Sequence, residues 1–320
     1  MSASPVDVTS EFRMGPGATA PAAPRPLPVP TRPARKLAPR GAAWWWGAAL
    51  LAIAVLLLSF VAYATTFSWL QYNRAQGLEY NQLRSSLAQA TTPVGQLDNN
   101  GVLVSPGTPM ALLSIPSLGI SQVVAEGTTG AVLRSGPGHR RDTVMPGQAG
   151  VSVIMGRQTT FGGPFGSINQ LVPGSTITVT TGQGLNTFRV IDVRHQSDPP
   201  PTAIPVGSGR LELITADGLP LLPAGGLYVD AELVSKVQST PSLVLGYPAL
   251  PVEERAMGQD ASAWGVAGAA FALFLVVGLG LAWLWRAWGR RHVWLIGVPI
   301  VVVLAATVAD QVLDALPNLI

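Results

Sequence analysis

Three long stretches of the chain are apolar and carry no charged residue: 42–64, 262–285 and 293–309. At about 1.5 Å of rise per residue, helices over these stretches would reach roughly 35, 36 and 26 Å. The hydrocarbon core of a bilayer is about 30 Å thick, so the first two are long enough to cross it and the third only just. The pattern therefore predicts three transmembrane helices.

The tryptophans support this interpretation. Indole rings favour the boundary between lipid headgroups and hydrocarbon, where the ring is half buried and its N–H still reaches water. All nine tryptophans lie at or near the ends of the three apolar stretches: Trp44, Trp45, Trp46, Trp69, Trp264, Trp283, Trp285, Trp288 and Trp294.

Between the first two spans the pattern changes from long apolar runs to short ones. Residues 65–109 predict a stalk helix over 67–90 followed by a linker, because leucines recur among polar helix formers. Residues 110–238 alternate apolar and polar positions between glycines and prolines, which predicts an all-β barrel or sandwich. Residues 239–261 are a linker to the second span. The predicted strands are 111–115, 120–125, 151–155, 176–180, 187–193, 211–215 and 227–234.

Basic residues set the predicted orientation, because loops rich in Lys and Arg stay in the cytoplasm. One cluster lies in the Pro-rich segment 1–41, predicted to be a disordered cytoplasmic tail, and another in the turn 286–292. The β region and the short tail 310–320 are then extracytoplasmic, in a multi-pass protein of the cell membrane. The basic residues that decide this are Arg25, Arg32, Arg35, Lys36, Arg40, Arg286, Arg290 and Arg291.

Charge argues against a nucleic-acid partner, although the sequence pI is about 9.6. Residues 65–261 carry 11 Lys and Arg against 13 Asp and Glu, so the basic excess lies beside the predicted spans. The partner that this distribution predicts is the anionic lipid of the inner leaflet.

Candidate chemistry is sparse. The chain has no cysteine, which excludes disulfides, thiolate nucleophiles and zinc–cysteine or iron–sulfur sites. It also lacks phosphate-loop, dinucleotide and zinc-protease motifs, and its two candidate histidines, His139 and His195, have no ligand pattern around them. The sequence predicts neither a cofactor nor a metal site.

Several short motifs, in order over residues 112–234, resemble the sortase family, specifically the housekeeping-type, class E-like sortases of high-GC Gram-positive bacteria. These motifs are Leu113-Ser114-Ile115-Pro116, Leu118-Gly119-Ile120, Gly136-Pro137-Gly138-His139, the strand up to Gly156, Thr159-Thr160-Phe161-Gly162-Gly163-Pro164-Phe165, Leu171 with Pro173 and Gly174, and the strand up to Thr215. The resemblance implies a sortase-like β-barrel that cleaves sorting signals of secreted proteins and joins them to an amine.

That reaction needs a Cys nucleophile, a His acid/base and an Arg that stabilises the oxyanion, and the resemblance breaks at all three. The His position is Arg157, the Cys position is Ala216, and the Arg position falls at Gly226 or Leu227. Alanine has no lone pair for attack, and arginine keeps its proton at physiological pH. The sequence therefore predicts a degenerate site without catalytic residues. Thr215, Asp217 and His139 are the candidate groove residues, with Asp217 a candidate ion-pair partner of Arg157.

Three functional hypotheses follow. The first is a non-catalytic homologue whose partners are secreted proteins with carboxyl-terminal sorting signals or an active sortase. The second is a transpeptidase or hydrolase with a non-standard nucleophile, Thr215 or Ser208, served by His139 or His195. The third is a membrane scaffold or assembly factor.

Overall fold

A computed structural model describes residues 42–288 and 290–320. Its compact units divide between Ala49 and Leu50. The predicted tail 1–41 lies outside the described residues. The helices are α1 (Ala42–Ala62), α2 (Ser68–Ala88), α3 (Gly130–Leu133), α4 (Ala263–Trp288) and α5 (Arg290–Ala315), and a π-helical turn, Tyr63–Phe67, joins α1 to α2.

Eight strands form a closed barrel in the order β1-β2-β3-β4-β7-β8-β6-β5. The seven predicted strands are all present, and closure decides for a barrel over a sandwich. The eighth, β3, has only two residues and no alternating pattern to reveal it. The strands are β1 (Pro109–Ile115), β2 (Ile120–Glu126), β3 (Gly138–His139), β4 (Gly150–Met155), β5 (Thr176–Thr181), β6 (Gly184–His195), β7 (Gly209–Leu219) and β8 (Leu222–Leu233).

The barrel interior is filled by side chains from alternate positions of its strands. Leu113, Val179, Phe188, Leu213 and Val229 are fully buried there. Each such side chain contributes about 1.5–3 kcal/mol of transfer free energy. This apolar core stabilises a β-barrel that has no disulfide.

The predicted stalk helix is present as α2, but it lies against the barrel. The Gln76 side chain bonds both backbone groups of Val123 in β2, donating to the carbonyl at 3.1 Å and accepting from the N–H at 2.8 Å. The Gln76 amide also donates to the Ser135 carbonyl at 2.8 Å. A Cβ at the neighbouring Gly136 would lie 2.1 Å from the Gln76 amide nitrogen, so this close approach requires glycine.

Two helices of the described residues, within α4 and α5, are long and apolar enough to cross a membrane: Ala263–Leu281 and Leu295–Ala315. They match the second and third predicted spans, whereas membrane crossing by α1 stays a prediction. The turn predicted over 286–292 is wrong, since every described residue of this stretch is helical. The prediction rested on the charge of the stretch and not on helix-breaking residues. Helix α5 also continues past residue 309 to Ala315, where its polar residues pair with the barrel.

Candidate functional site

The three positions at which the sequence departs from the sortase pattern lie side by side. Ala216 on β7 is the cross-strand partner of Gly226 on β8. Strand β4 runs parallel to β7, with Met155 opposite Ile214, and the ladder continues as the Gly156 N–H donates to the Ile214 carbonyl at 3.0 Å. Arg157 therefore follows directly beside Ala216.

The Arg157 side chain is fully buried and bonded to uncharged acceptors. It donates to Thr160 Oγ1 at 3.0 Å, to the Gly130 carbonyl at 2.9 Å and to the Ile320 carbonyl at 3.3 Å. Burial lowers the pKa of Arg157 to about 10, and the charge of Asp314 opposes that effect. Arg157 therefore remains a cation at neutral pH and cannot exchange protons as the family histidine does.

The Phe161 ring orders this arginine and a second one. The Arg157 guanidinium lies 4.9 Å from the ring centroid and that of Arg134 lies 5.0 Å from it. The ring is fully buried, and the Phe161 N–H donates to Ser68 Oγ at 2.9 Å. A buried ring with two guanidinium groups gains cation–π attraction from both.

Arg134 also ties α5 to the barrel. It forms ion pairs with Asp314 at 2.9 Å and with Asp310 at 3.2 Å, one helical turn apart. Leu313, between these two aspartates, is buried in a cluster with Phe161. The end of α5 is therefore attached beside Arg157 by charge and by apolar contact.

Asp217 is not the partner of Arg157 that the sequence suggested. Its Oδ2 lies 2.7 Å from Nδ1 of His195, and its Oδ1 accepts from the Gly218 N–H at 2.9 Å. Side chains alternate along a strand, so Asp217 lies on the opposite face of β7 from Ala216. The expected pairing is wrong for this reason, and His195 is an exposed partner of Asp217 at the β7–β8 hairpin.

Thr215 lies on the same face of β7 as Asp217. At Thr215 this face points into the barrel. It pairs with Leu227 across the ladder, is 1% exposed, and its hydroxyl has no hydrogen-bond partner among the described residues. A hydroxyl in this position has neither a base beside it nor access to a substrate.

His139 belongs to a separate buried cluster. Its Nδ1 lies 2.8 Å from a Glu126 carboxylate oxygen, and its Nε2 lies 2.9 Å from the Val144 carbonyl. Both of these partners are acceptors, an arrangement that favours the doubly protonated ring. Burial lowers the pKa of His139, but the charge of Glu126 and the hydrogen bonds outweigh it, and the net pKa is raised. His139 therefore stabilises the barrel wall, and none of its contacts joins it to Arg157 or Ala216.

Residues 317–320 pack against two of the three family positions, Arg157 and Ala216. Leu319 is fully buried in an apolar cluster with Met155, Ile214 and Ala216. We call this surface, lined by Leu133, Val153, Met155, Ile214 and Ala216, the cleft. Sequence reasoning missed Leu319 because it follows the last predicted span, far along the chain from every other residue of the cleft.

A cation-binding cluster is absent from the part of the chain that the structure describes, where no group of three His, Cys, Asp or Glu could hold a metal ion. A cavity of about 350 Å³ lies beside residues 317–320, with Thr129, Gly130, Asp314 and Asn318 in its wall.

Solved structures similar to this chain include sortase E from Streptomyces avermitilis, 27% identical over 48% of this chain and 100% of that one, with a TM-score of 0.36. Another is sortase E1 from Streptomyces coelicolor with a tripeptide in the active site, 26% identical over 41% and 91%, with a TM-score of 0.36. A third is a sortase D5 transpeptidase from Clostridium perfringens, 21% identical over 51% and 99%, with a TM-score of 0.42.

No curated protein matches the chain. The family model described as "Sortase domain" matches residues 113–220, which run from within β1 to one residue past the end of β7. This stretch contains the family positions at Arg157 and Ala216. Residues 113–220 therefore form a sortase domain.

Proposed function

We propose that this chain is a non-catalytic sortase-family protein that binds a peptide segment of a cell-surface protein without cleaving it. The observation that carries the proposal is that Arg157, which follows β4, lies next to Ala216 on β7 and Gly226 on β8. Where the family has a nucleophile, a base and an oxyanion-stabilising group, this chain has, respectively, the methyl group of Ala216, the fixed cation of Arg157 and Gly226.

The chemistry of peptide cleavage supports the proposal. Acyl transfer begins when a nucleophile beside a base attacks the carbonyl carbon, and Ala216 has no electron pair for that attack. Loss of a nucleophile or its base costs about 10⁶ in rate in a triad-type hydrolase. A substitute is not at hand on the cleft, because Thr215 faces the barrel interior.

The cleft keeps what peptide binding requires. Its wall is apolar, and its rim presents the Arg157 guanidinium, the Thr160 hydroxyl and the Gln158 N–H as donors for carbonyl oxygens. Backbone carbonyls supply affinity for such donors, and apolar pockets select side chains. Since sortases act on sorting signals of secreted proteins, a sorting-signal segment is the ligand that we propose.

The membrane assignment is part of the proposal. Helices α4 and α5 have the length and composition needed to span a membrane. Helix α1, which precedes the barrel in the sequence, is also apolar along its length. The ion pairs of Arg134 with Asp310 and Asp314 support a position of the barrel on the side where α5 ends. With the basic 286–291 segment in the cytoplasm, the barrel is extracytoplasmic.

The test uses the full chain in lipid nanodiscs and fluorescent sorting-signal peptides, with an amine acceptor present. We expect saturable binding to the full chain or to a chain lacking residues 317–320, and no cleaved or transferred product. The matched variant Arg157→Met removes the donors and keeps most of the volume, so it should weaken binding about tenfold through loss of charge-assisted hydrogen bonds. Peptide turnover, or failure of both chains to bind, contradicts the proposal.

A further inference from the structure

The segment 317–320 leaves α5 as a tight turn that directs two aliphatic side chains at the barrel. The Ile320 N–H donates to the Pro317 carbonyl at 3.2 Å, which closes the turn. Leu319 is fully buried and Ile320 is 3% exposed. A short segment after a helix is ordinarily exposed, so burial of this degree requires a surface shaped to receive it.

The cleft receives Leu319 through apolar contact. Leu319 packs in one cluster with Ala216 and Ile214 of β7 and with Met155 of β4. Tyr228 and Met257 close the same cluster from the sides. The Leu319 side chain is therefore part of the apolar cluster that buries Ala216.

The backbone of the segment is bonded like a bound peptide. The Leu319 carbonyl accepts from the Gln158 N–H at 2.9 Å. The Ile320 carbonyl accepts from Arg157 at 3.3 Å and from the Thr160 hydroxyl. Peptide groups buried without partners would cost several kcal/mol. Residues 157–160 supply donors to both of these carbonyls.

Asn318 adds selectivity to this arrangement. Its side-chain amide lies within hydrogen-bond distance of three backbone carbonyls, those of Thr128 at 2.8 Å, Arg255 at 3.0 Å and Glu253 at 3.1 Å. Its backbone N–H donates to the Gly258 carbonyl at 2.9 Å. Aspartate or an aliphatic residue could not donate these bonds, so the site selects an amide side chain.

We propose that residues 317–320 are an intramolecular ligand of the cleft, and that the cleft takes short peptides in which Asn is followed by two aliphatic residues. An added peptide has to displace this segment, so movement of the end of α5 controls access. The inference rests on the proposed function only in treating the cleft as a peptide site. Occupancy by residues 317–320 is testable without any outside ligand.

The first test uses the absence of native cysteine. In an Ala216→Cys chain in nanodiscs, maleimide alkylation reports directly whether Leu319 covers position 216. We expect alkylation about tenfold faster or more when Leu319→Asp or deletion of residues 317–320 is added, because the covered thiol reacts only after local opening. The control is Val206→Cys at a fully exposed position, whose rate should not respond to the same changes. Equal rates at position 216 with and without the segment overturn the proposal.

The second test measures the ligand class with a labelled peptide of residues 314–320. We expect it to bind the chain lacking residues 317–320 about tenfold more tightly or more than the intact chain, whose site is already occupied. Peptides carrying Asn318→Ala or Leu319→Asp should compete poorly. Equal affinity for both chains overturns the inference, and so does the absence of binding to either. If sorting-signal peptides do not bind while the 314–320 peptide does, and position 216 is still protected from alkylation, only the proposed function is contradicted.

Discussion

The interior of the barrel and its cleft are both fully buried, yet they are assembled in different ways. Interior residues such as Phe188 and Leu213 come from long strands on which alternate side chains face the barrel core. The cleft joins β4, β7, α3 and the segment after α5, which are widely separated in sequence. The interior therefore follows from the local alternation of side chains, whereas the cleft depends on packing of the distant segment 317–320.

The largest expected effect lies in the interior. Phe188→Ala removes a fully buried ring, and we expect it to lower the free energy of unfolding by about 3–5 kcal/mol, since the barrel cannot collapse around the cavity. Pulse proteolysis in urea on the full chain measures this loss. Leu185→Ala, on the exposed face of the same strand, is the control and should change stability by no more than about 0.5 kcal/mol. Similar losses for both variants would deny that the interior is the stabilising core.

A smaller effect is expected from the equivalent deletion in the cleft. Leu319→Ala also removes a fully buried side chain, but its cost is limited to the free energy that holds residues 317–320 in place. We expect a loss below about 2 kcal/mol in global stability, together with faster hydrogen exchange at residues 318–320 and at the Gln158 amide. Amides of β6 and β8 should keep their protection from exchange. A uniform loss of protection would show that the interior and the cleft open as one cooperative unit.

The buried His139–Glu126 pair, which belongs to neither region, gives a pH test of the barrel wall. The folded pKa of His139 is raised above the ordinary 6.5, so its stabilising contribution is complete below that value and is lost as pH rises through the folded pKa. Stability should therefore fall with rising pH across this window. Glu126→Gln removes the opposing charge and should flatten this dependence. Parallel pH curves for the two chains would show that the imidazolium is not stabilised by Glu126.

The smallest expected effect is at Thr215. Its buried hydroxyl has no partner among the described residues, so Thr215→Val should be neutral or raise stability by up to about 1 kcal/mol. Urea unfolding of the two chains measures the difference, and peptide binding should not change. A clear loss of stability or of binding would return Thr215 to the list of functional residues.

The sequence predicted the elements far better than the contacts between them. Alternation revealed seven strands, and apolar length revealed α4 and α5, because both are local properties. The positions 157, 216 and 226 came from a resemblance to sortases, and the strand register brings them together. Nothing local marks Leu319 or Asn318 as residues of the same site, since burial over Ala216 depends on how α5 meets the barrel. Asp217 and His139 were misplaced because strand alternation and a buried Glu126 decide their partners.

The central claim is that position 216 offers no electron pair to a peptide bond. Intact-mass measurement of the full chain, and of the chain lacking residues 317–320, after incubation with sorting-signal peptides tests it most directly. The account predicts masses identical to those of the untreated chains. A mass increase equal to the acyl half of a peptide, lost again on adding an amine, would contradict it.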